Sequence, residues 1–441
     1  MENRKEKLRM SVEEYWQRDL PEMRQREIEL KRKSDLINDV IGPRRSGKTY
    51  LMFLTIEKLV DSGIDKKATI YLNFEDRRLL PSTPEYLSDL VEFIHARRLL
   101  NHDRVYIFLD EVQRIEDWEQ YIRSIFDEFK GKIKIFVSGS TSELTKSELS
   151  HLLTGRHLTT QVFPLSFREF LWFKDIDYEK EYLTERDTSV IKEMLREYLS
   201  FGGFPEIVLA ESGKEEIIRT LFSDIIGRDV ISRIKKKSEI MDGLSYFLSS
   251  NIGKPVSFSK MCRLLNSSGF KISVPTLERY FFIMKEAFLF FDIRIFSYSV
   301  KDQLQYPRKI YAMDTGFANL SGFRFSEDIG RYMENLAAVE LLRRKSLNPG
   351  MEIYYWKDYQ HKEVDFVLKI GLSVVQLIQV THASNREEVA RRDVTALIKA
   401  GKELKCDELL ILTWDYESND GEIRFLPLWK WLLRLQTGDL R

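Results

Sequence analysis

Eight consecutive residues, Gly42-Pro43-Arg44-Arg45-Ser46-Gly47-Lys48-Thr49, have the types and spacing to hold a polyphosphate. Gly42 and Gly47 let the backbone turn tightly enough for successive N–H groups to converge on phosphate oxygens. Lys48 brings a cation within reach of β- and γ-phosphates, and the Thr49 hydroxyl suits a Mg²⁺ shell. With Tyr50 next in line, these nine residues are the candidate nucleotide-binding set. Further along, four apolar residues and a Tyr (105–109) run into Asp110 and Glu111. Asp110 would hold Mg²⁺, directly or through water, and Glu111 would polarise the attacking water as general base. A helix N-cap pair is the plain alternative for the two acids. Taken with the loop, the pair predicts hydrolysis of a nucleoside triphosphate and not binding alone. Two more residues complete the candidate catalytic set of Lys48, Asp110, Glu111, Ser140 and Arg156. Ser140 ends an apolar run and would set a hydroxyl beside the γ-phosphate, although a Gly-Ser turn explains it equally. Arg156 would stabilise transition-state charge, in cis or across the interface of a homo-oligomer, against the alternative of a surface salt bridge.

Such a site needs strands to aim it. Leu36, Ile37, Val40 and Ile41 read as a strand before the loop, and Leu51, Met52, Leu54, Ile56 and Leu59 as a helix after it. Apolar runs at 68–74, 105–109 and 134–138 alternate with helical patterns at 86–100 and 118–129, which predicts a parallel sheet with helical crossovers. The stretch 1–35 reads as charged helix and 166–240 as mostly helical. The chain of 441 residues is long enough for several cores, so the expected division is 1–35, 36–165, 166–240, 241–325 and 326–441. Lys plus Arg and Asp plus Glu both number 69, so net charge excludes no partner class. Cys262 and Cys406, the only cysteines, exclude a disulfide framework and a four-thiolate metal site. No run approaches 18 apolar residues, and the start MENRKEKLRM lacks an apolar signal core. A soluble, cytoplasmic protein without a membrane partner is expected.

The segments GPRRSGKT, LDEVQRIEDW, VSGSTSEL, LTGR and FPLSFREF, in that order, resemble a clade of AAA-plus-type ATPases abundant in archaea. FGGFPEIV, RYMENLAAVEL and KEVDFVL resemble the C-terminal part carried by that group, so the likeness extends from about residue 20 to 380. It implies an α/β multidomain protein: a P-loop NTPase parallel sheet with a helical extension, then a winged helix, then a restriction-endonuclease-like PD-(D/E)XK domain, with ATP and Mg²⁺ as ligands.

The middle segment fits a winged helix on its own residues. Helical patterns at 257–266 and 273–286 flank a Ser-Ser-Gly turn, and two strands, 288–296 and 309–313, flank a polar loop. The second helix would present Ser273, Thr276, Arg279 and Lys271, and the loop Lys301 and Arg308. From 225 to 309 there are 15 Lys and Arg against 7 Asp and Glu, a footprint suited to DNA. Docking of a protein is the alternative use of such a module.

For the C-terminal segment, nuclease chemistry of the PD-(D/E)XK type needs acids around a metal and a nearby lysine. Glu334 and Glu340 lie on a helix six residues apart, about 240° around it, so both cannot face one site. Asp365 matches the strand aspartate. Where Glu-x-Lys is expected the chain reads Gln379-Val380-Thr381, and neither an amide nor a hydroxyl replaces the missing charges. A degenerate nuclease fold is expected. The leading function is thus a DNA-associated ATPase; the alternatives are a nucleotide-controlled scaffold ATPase and an ATP-dependent nuclease.

Overall fold

The computed structural model describes residues 2–139, 155–180, 182–234, 238–321 and 325–434. The chain divides into two compact units, Met1–Phe163 and Pro164–Arg441.

The first unit is built on five parallel strands, β1 (Ile37–Ile41), β2 (Thr69–Asn73), β3 (Val105–Asp110), β4 (Ile133–Ser138) and β5 (His157–Gln161), in the order β2-β3-β4-β1-β5. Every residue of β1, β3 and β4 is buried, as strands covered on both faces require. Helices α1 (Glu2–Gln17), α2 (Lys48–Asp61), α3 (Glu85–Ala96) and α4 (Trp118–Glu128) accompany the sheet. The side of α2 that packs inward joins Val40, Phe108 and Phe136 in one core, with the Phe108 and Phe136 rings stacked at 4.5 Å. Two expectations change here. The N-terminal helix ends at Gln17, ahead of Pro21, and the rest of 1–35 has no regular element. The fifth strand, His157–Gln161, was not expected, because its sequence HLTTQ carries one apolar residue in five.

The second unit begins with α5 (Phe167–Phe173), α6 (Glu185–Phe201) and α7 (Lys214–Ile225). Next come α8 (Ser238–Ser250), β6 (Pro255–Val256), α9 (Phe258–Ser267), α10 (Val274–Glu286), β7 (Phe290–Ile295), α11 (Val300–Gln305) and β8 (Arg308–Ala312). Ser273 caps α10 by accepting the Thr276 N–H, and Pro275 stands in the first turn where it removes no needed donor. The polar loop expected after β7 instead holds α11, capped by Ser299. Then follow α12 (Phe325–Leu347), β9 (Met351–Lys357), β10 (Glu363–Ile370), β11 (Ser373–Val380), α13 (Arg391–Leu404), β12 (Leu409–Thr413), β13 (Ser418–Asp420), β14 (Ile423–Pro427) and α14 (Leu428–Leu433). At Pro427 the strand β14 gives way directly to α14.

Strands β6 to β14 form one sheet in the order β13-β14-β12-β11-β10-β9-β7-β8-β6. The three strands β6, β8 and β7 are antiparallel, as are β9, β10 and β11. Parallel pairing of Arg294 with Tyr354 and Ile295 with Tyr355 joins the two groups. No edge separates the segments 241–325 and 326–441. Helix α13 connects β11 to its parallel neighbour β12 and buries Leu397 and Ala400 against Leu377 and Ile411.

Candidate functional site

The loop after β1 has a backbone shaped for an anion. Arg45 and Gly47 have φ of 62° and 98°, and Gly47 caps α2 without any side chain occupying its first amides. No acidic residue stands in the first turn of α2 to oppose a phosphate. A Cβ on Gly42 would meet Val162 O at 2.2 Å, so only glycine passes beside the segment that follows β5. Arg26, buried, donates from Nη1 to Ser46 O and from Nη2 to Phe163 O, both at 3.0 Å, and so braces the loop from behind. Lys48 Nζ donates to the carbonyls of Gly42 and Pro43, each at 3.0 Å, which holds the ammonium at the loop. Tyr50 is exposed on α2 and packs edge-on against Phe53.

Asp110 ends β3 with no exposure to solvent. Thr49 Oγ1 donates to its Oδ2 at 2.6 Å, and Tyr71 from β2 donates to the same oxygen at 2.9 Å. Ser138, at the tip of β4, donates to Oδ1 and receives the Glu111 N–H at 3.3 Å. Three hydroxyls therefore offset the burial of this carboxylate. Glu111 turns out of the strand with φ of 55°, and its Oε2 accepts from Gln113 Nε2 at 2.6 Å. Burial pushes the Glu111 carboxyl up; Lys48 opposes this and Asp110 adds to it. A carboxyl raised in this way is a stronger proton acceptor than an ordinary glutamate.

A nucleoside triphosphate with its Mg²⁺ fits these residues. The Ser46 hydroxyl is buried at the loop without a hydrogen-bond partner, as expected of a donor kept for a ligand. Among the described residues no group of three His, Cys, Asp or Glu is placed to hold a metal. A magnesium ion here would depend on Thr49, Asp110 and the phosphates together.

The remaining sequence candidates fall unevenly. Ser140 lies outside the described residues; the hydroxyl that reaches Asp110 is that of Ser138, two residues earlier. Arg156 precedes β5, whose His157 pairs with Ile37 at the start of β1. It thus sits at the opposite strand ends from the loop, roughly 15 Å away at about 3.3 Å per residue, and pairs with Asp127 at 3.0 Å. Action in cis is excluded for Arg156. Tyr71, Ser138 and Arg26 were missed, because their partners lie 28 to 39 positions away, or, for Arg26, are backbone carbonyls.

In the second unit, Lys271, Ser273 and Arg279 are exposed at α10 and Lys301 at α11. Ser273 and Thr276 share a hydroxyl contact of 2.8 Å within the cap. Arg308 is turned inward over the Phe258 ring, 3.6 Å from Asp292. Lys309, counted among the basic residues, is buried. Glu334 and Asp365 come together, whereas Glu340 faces Arg343 and Arg344 at 2.6 and 3.1 Å. Gln379 accepts the Asp365 N–H at 3.3 Å, and Thr381 contributes a backbone bond to Leu412 O.

Strand order, glycine loop and buried strand-end aspartate define the first unit as an AAA-type P-loop nucleotide-binding domain, and residues 34–171 match the family described as an AAA domain. Residues 192–327 and 329–431 match two domains of unknown function, DUF8612 and DUF4143. The chain belongs to the family of the uncharacterized protein MJ1544 of Methanocaldococcus jannaschii, to which it is 35% identical over 422 residues, 92% of this chain and 90% of that one. An uncharacterized protein of Haemophilus influenzae is 29% identical over 341 residues, 76% of this chain and 80% of its own. Among solved structures, Cdc6p of Pyrobaculum aerophilum is similar at 12% identity and a TM-score of 0.25, covering 68% of this chain and 88% of that one. At that score the likeness decides nothing further. No helix among the described residues is long and apolar enough to cross a membrane.

Proposed function

We propose that this chain is a Mg²⁺-dependent ATPase that works on or beside DNA. The observation that carries the proposal is the contact between Thr49 Oγ1 and the buried Asp110 carboxylate, with Glu111 adjacent. Thr49 and Asp110 face one another where a magnesium shell needs a hydroxyl and a carboxylate. Bound Mg²⁺ would neutralise phosphate charge. Lys48 exchanges its two carbonyl partners for phosphate oxygens, and the loop amides and the N-terminus of α2 orient the triphosphate. Ser138 holds Asp110 in place. Glu111, raised by burial, takes the proton of the attacking water. Arg156 serves only if a neighbouring copy completes the site.

The helix order α8-α9-α10 followed by β7 and β8, with β6 beside β8, supports reading 238–312 as a winged helix. Its exposed cations Lys271, Arg279 and Lys301 are the contacts suited to DNA phosphates. The test is ATP turnover with and without double-stranded DNA. Lys48→Ala is expected to abolish nucleotide binding, and Glu111→Gln to bind ATP yet lose turnover by about 10² or more. Turnover retained in Lys48→Ala overturns the site, and turnover insensitive to DNA overturns the partner.

One observation favours a second reading, a scaffold ATPase that docks protein through the same module. Phe282, Tyr298 and Val300 are 57%, 82% and 69% exposed, more apolar surface than phosphate contact requires. A nucleotide-dependent change of oligomeric state, with no DNA effect, would select it.

A further inference from the structure

Three carboxylates from α12 and β10 converge on the Lys309 ammonium of β8. Its Nζ lies 2.9 Å from Glu334 Oε1, 2.8 Å from Glu363 Oε1 and 2.8 Å from Asp365 Oδ1. The residue is 1% exposed. A lysine ammonium has three N–H donors, and three acids meet them. The acids are themselves held in place. Tyr311 Oη donates to Glu334 Oε1 at 2.7 Å, Lys357 pairs with Glu363 Oε2 at 2.9 Å, and Val380 N donates to Asp365 Oδ2 at 2.9 Å. At least five of the six carboxylate oxygens are thus engaged.

Acids from a helix and a strand, aimed at one point, would ordinarily hold a divalent cation. Here the cation at that point is part of the chain. We propose that Lys309 is a built-in counter-ion standing where a metal would sit, so that Glu334, Glu363 and Asp365 bind no divalent cation and instead pin the β7–β8 hairpin to α12 and β10. Burial alone would pull the ammonium down, but Asp365 and Glu334, with smaller help from Tyr311 and Glu363, hold it well above its usual value and keep it charged. Gln379 fits the same account. An amide beside Asp365 adds no negative charge to a cluster of three acids that Lys309 and, at Glu363, Lys357 balance. A lysine acting beside a metal would need free carboxylate oxygens for the ion, and most of them are already taken. The inference rests on the reading of these acids as a nuclease remnant and not on the ATP site.

The test is Mn²⁺ uptake by the nucleotide-free full chain, read from the electron paramagnetic resonance signal of free Mn²⁺, with melting temperature followed with and without the ion. Wild type and Asp365→Asn are expected to take up equal Mn²⁺. Lys309→Met is expected to melt lower. It should take up one extra ion per chain, tighter than about 1 mM, the weak end for oxygen-ligand sites, and recover melting temperature with it. Lys309→Met/Asp365→Asn should lose both the extra ion and the recovery. A wild-type Mn²⁺ site, or Mn²⁺-dependent DNA cleavage, that Asp365→Asn removes would overturn the proposal. So would a folded Lys309→Met that takes up no extra ion. If Lys309→Met fails to fold, the wild-type and Asp365→Asn comparison decides alone: equal uptake supports the counter-ion and unequal uptake refutes it. ATP turnover enters none of these readouts, so failure of the ATPase reading is recorded separately.

Discussion

At the scale of single residues, Asp110 is the group on which the others depend. It is buried, and the hydroxyls of Thr49, Tyr71 and Ser138 hold it. Removing one of them leaves the carboxylate less well satisfied, at about 1–3 kcal/mol. Ser138→Ala is therefore expected to melt lower and to lower ATP turnover by about tenfold or more, because the Glu111 N–H loses its acceptor too. Tyr71→Phe should cost about 1 kcal/mol and spare most turnover, since Tyr71 reaches Asp110 and not Glu111. Denaturant titration and steady-state turnover of the two variants check both. Lys48, Thr49 and Asp110 were legible in the sequence because each sits in a contiguous run whose chemistry is local. Ser138 and Tyr71 were not, since only the register of neighbouring strands brings them to Asp110. Ser138, the last residue of β4, supplies the hydroxyl from that strand that holds Asp110.

At the scale of elements, Asp314 ties the turn after α6 to the turn after β8. Its carboxylate accepts the N–H of Gly203 at 2.8 Å and of Gly316 at 2.9 Å. Burial pushes this carboxyl from 3.8 up to about 6, against the pull of those two amides. The folded value lies above the unfolded one, so this contribution to stability is complete below about pH 3.8 and is lost as pH rises through about 6. The span corresponds to an order of 3 kcal/mol. Asp314→Asn is expected to be less stable throughout, because its amide N–H₂ faces a backbone N–H. It should also flatten the dependence of melting temperature on pH across that window. A Cβ at Gly202, where φ is 79°, would stand 1.6 Å from Asp314 Oδ1, so Gly202→Ala should lose more than about 2 kcal/mol of stability. The helices and buried strands around these turns were legible from apolar periodicity. Strand β5 was not, being short and polar, and α11 was not, since VKDQLQ has too few apolar residues to show a helical stripe.

At the scale of the whole molecule, the balance of charge along the chain misled where the fold corrects it. The segment 225–309 carries 15 cations by sequence, but Lys309 is buried, Arg308 faces Asp292, and Lys285 and Arg233 pair with Asp292 and Glu286. The free positive surface is smaller than the count. Replacing Lys271, Arg279 and Lys301 together by Ala is expected to weaken DNA binding at every sequence and to reduce the slope of log affinity against log salt by about 3. Fluorescence anisotropy at several salt concentrations measures it, and an unchanged slope would direct attention to the exposed apolar side chains. Two compact units also predict more than one thermal transition. ATP with Mg²⁺ should raise the transition of the first unit, while Lys309→Met lowers that of the second.

The union of β7 with β9 bears on how this protein can be divided. Two residue pairs and the Phe296 N–H to Tyr355 O bond, at 2.6 Å, continue one hydrogen-bonded ladder through what reads in sequence as a boundary near 325. Severing the chain there strips both halves of a neighbour and leaves each with a raw, sticky flank. Fragments trimmed at that point should clump when expressed singly and dissolve when made together.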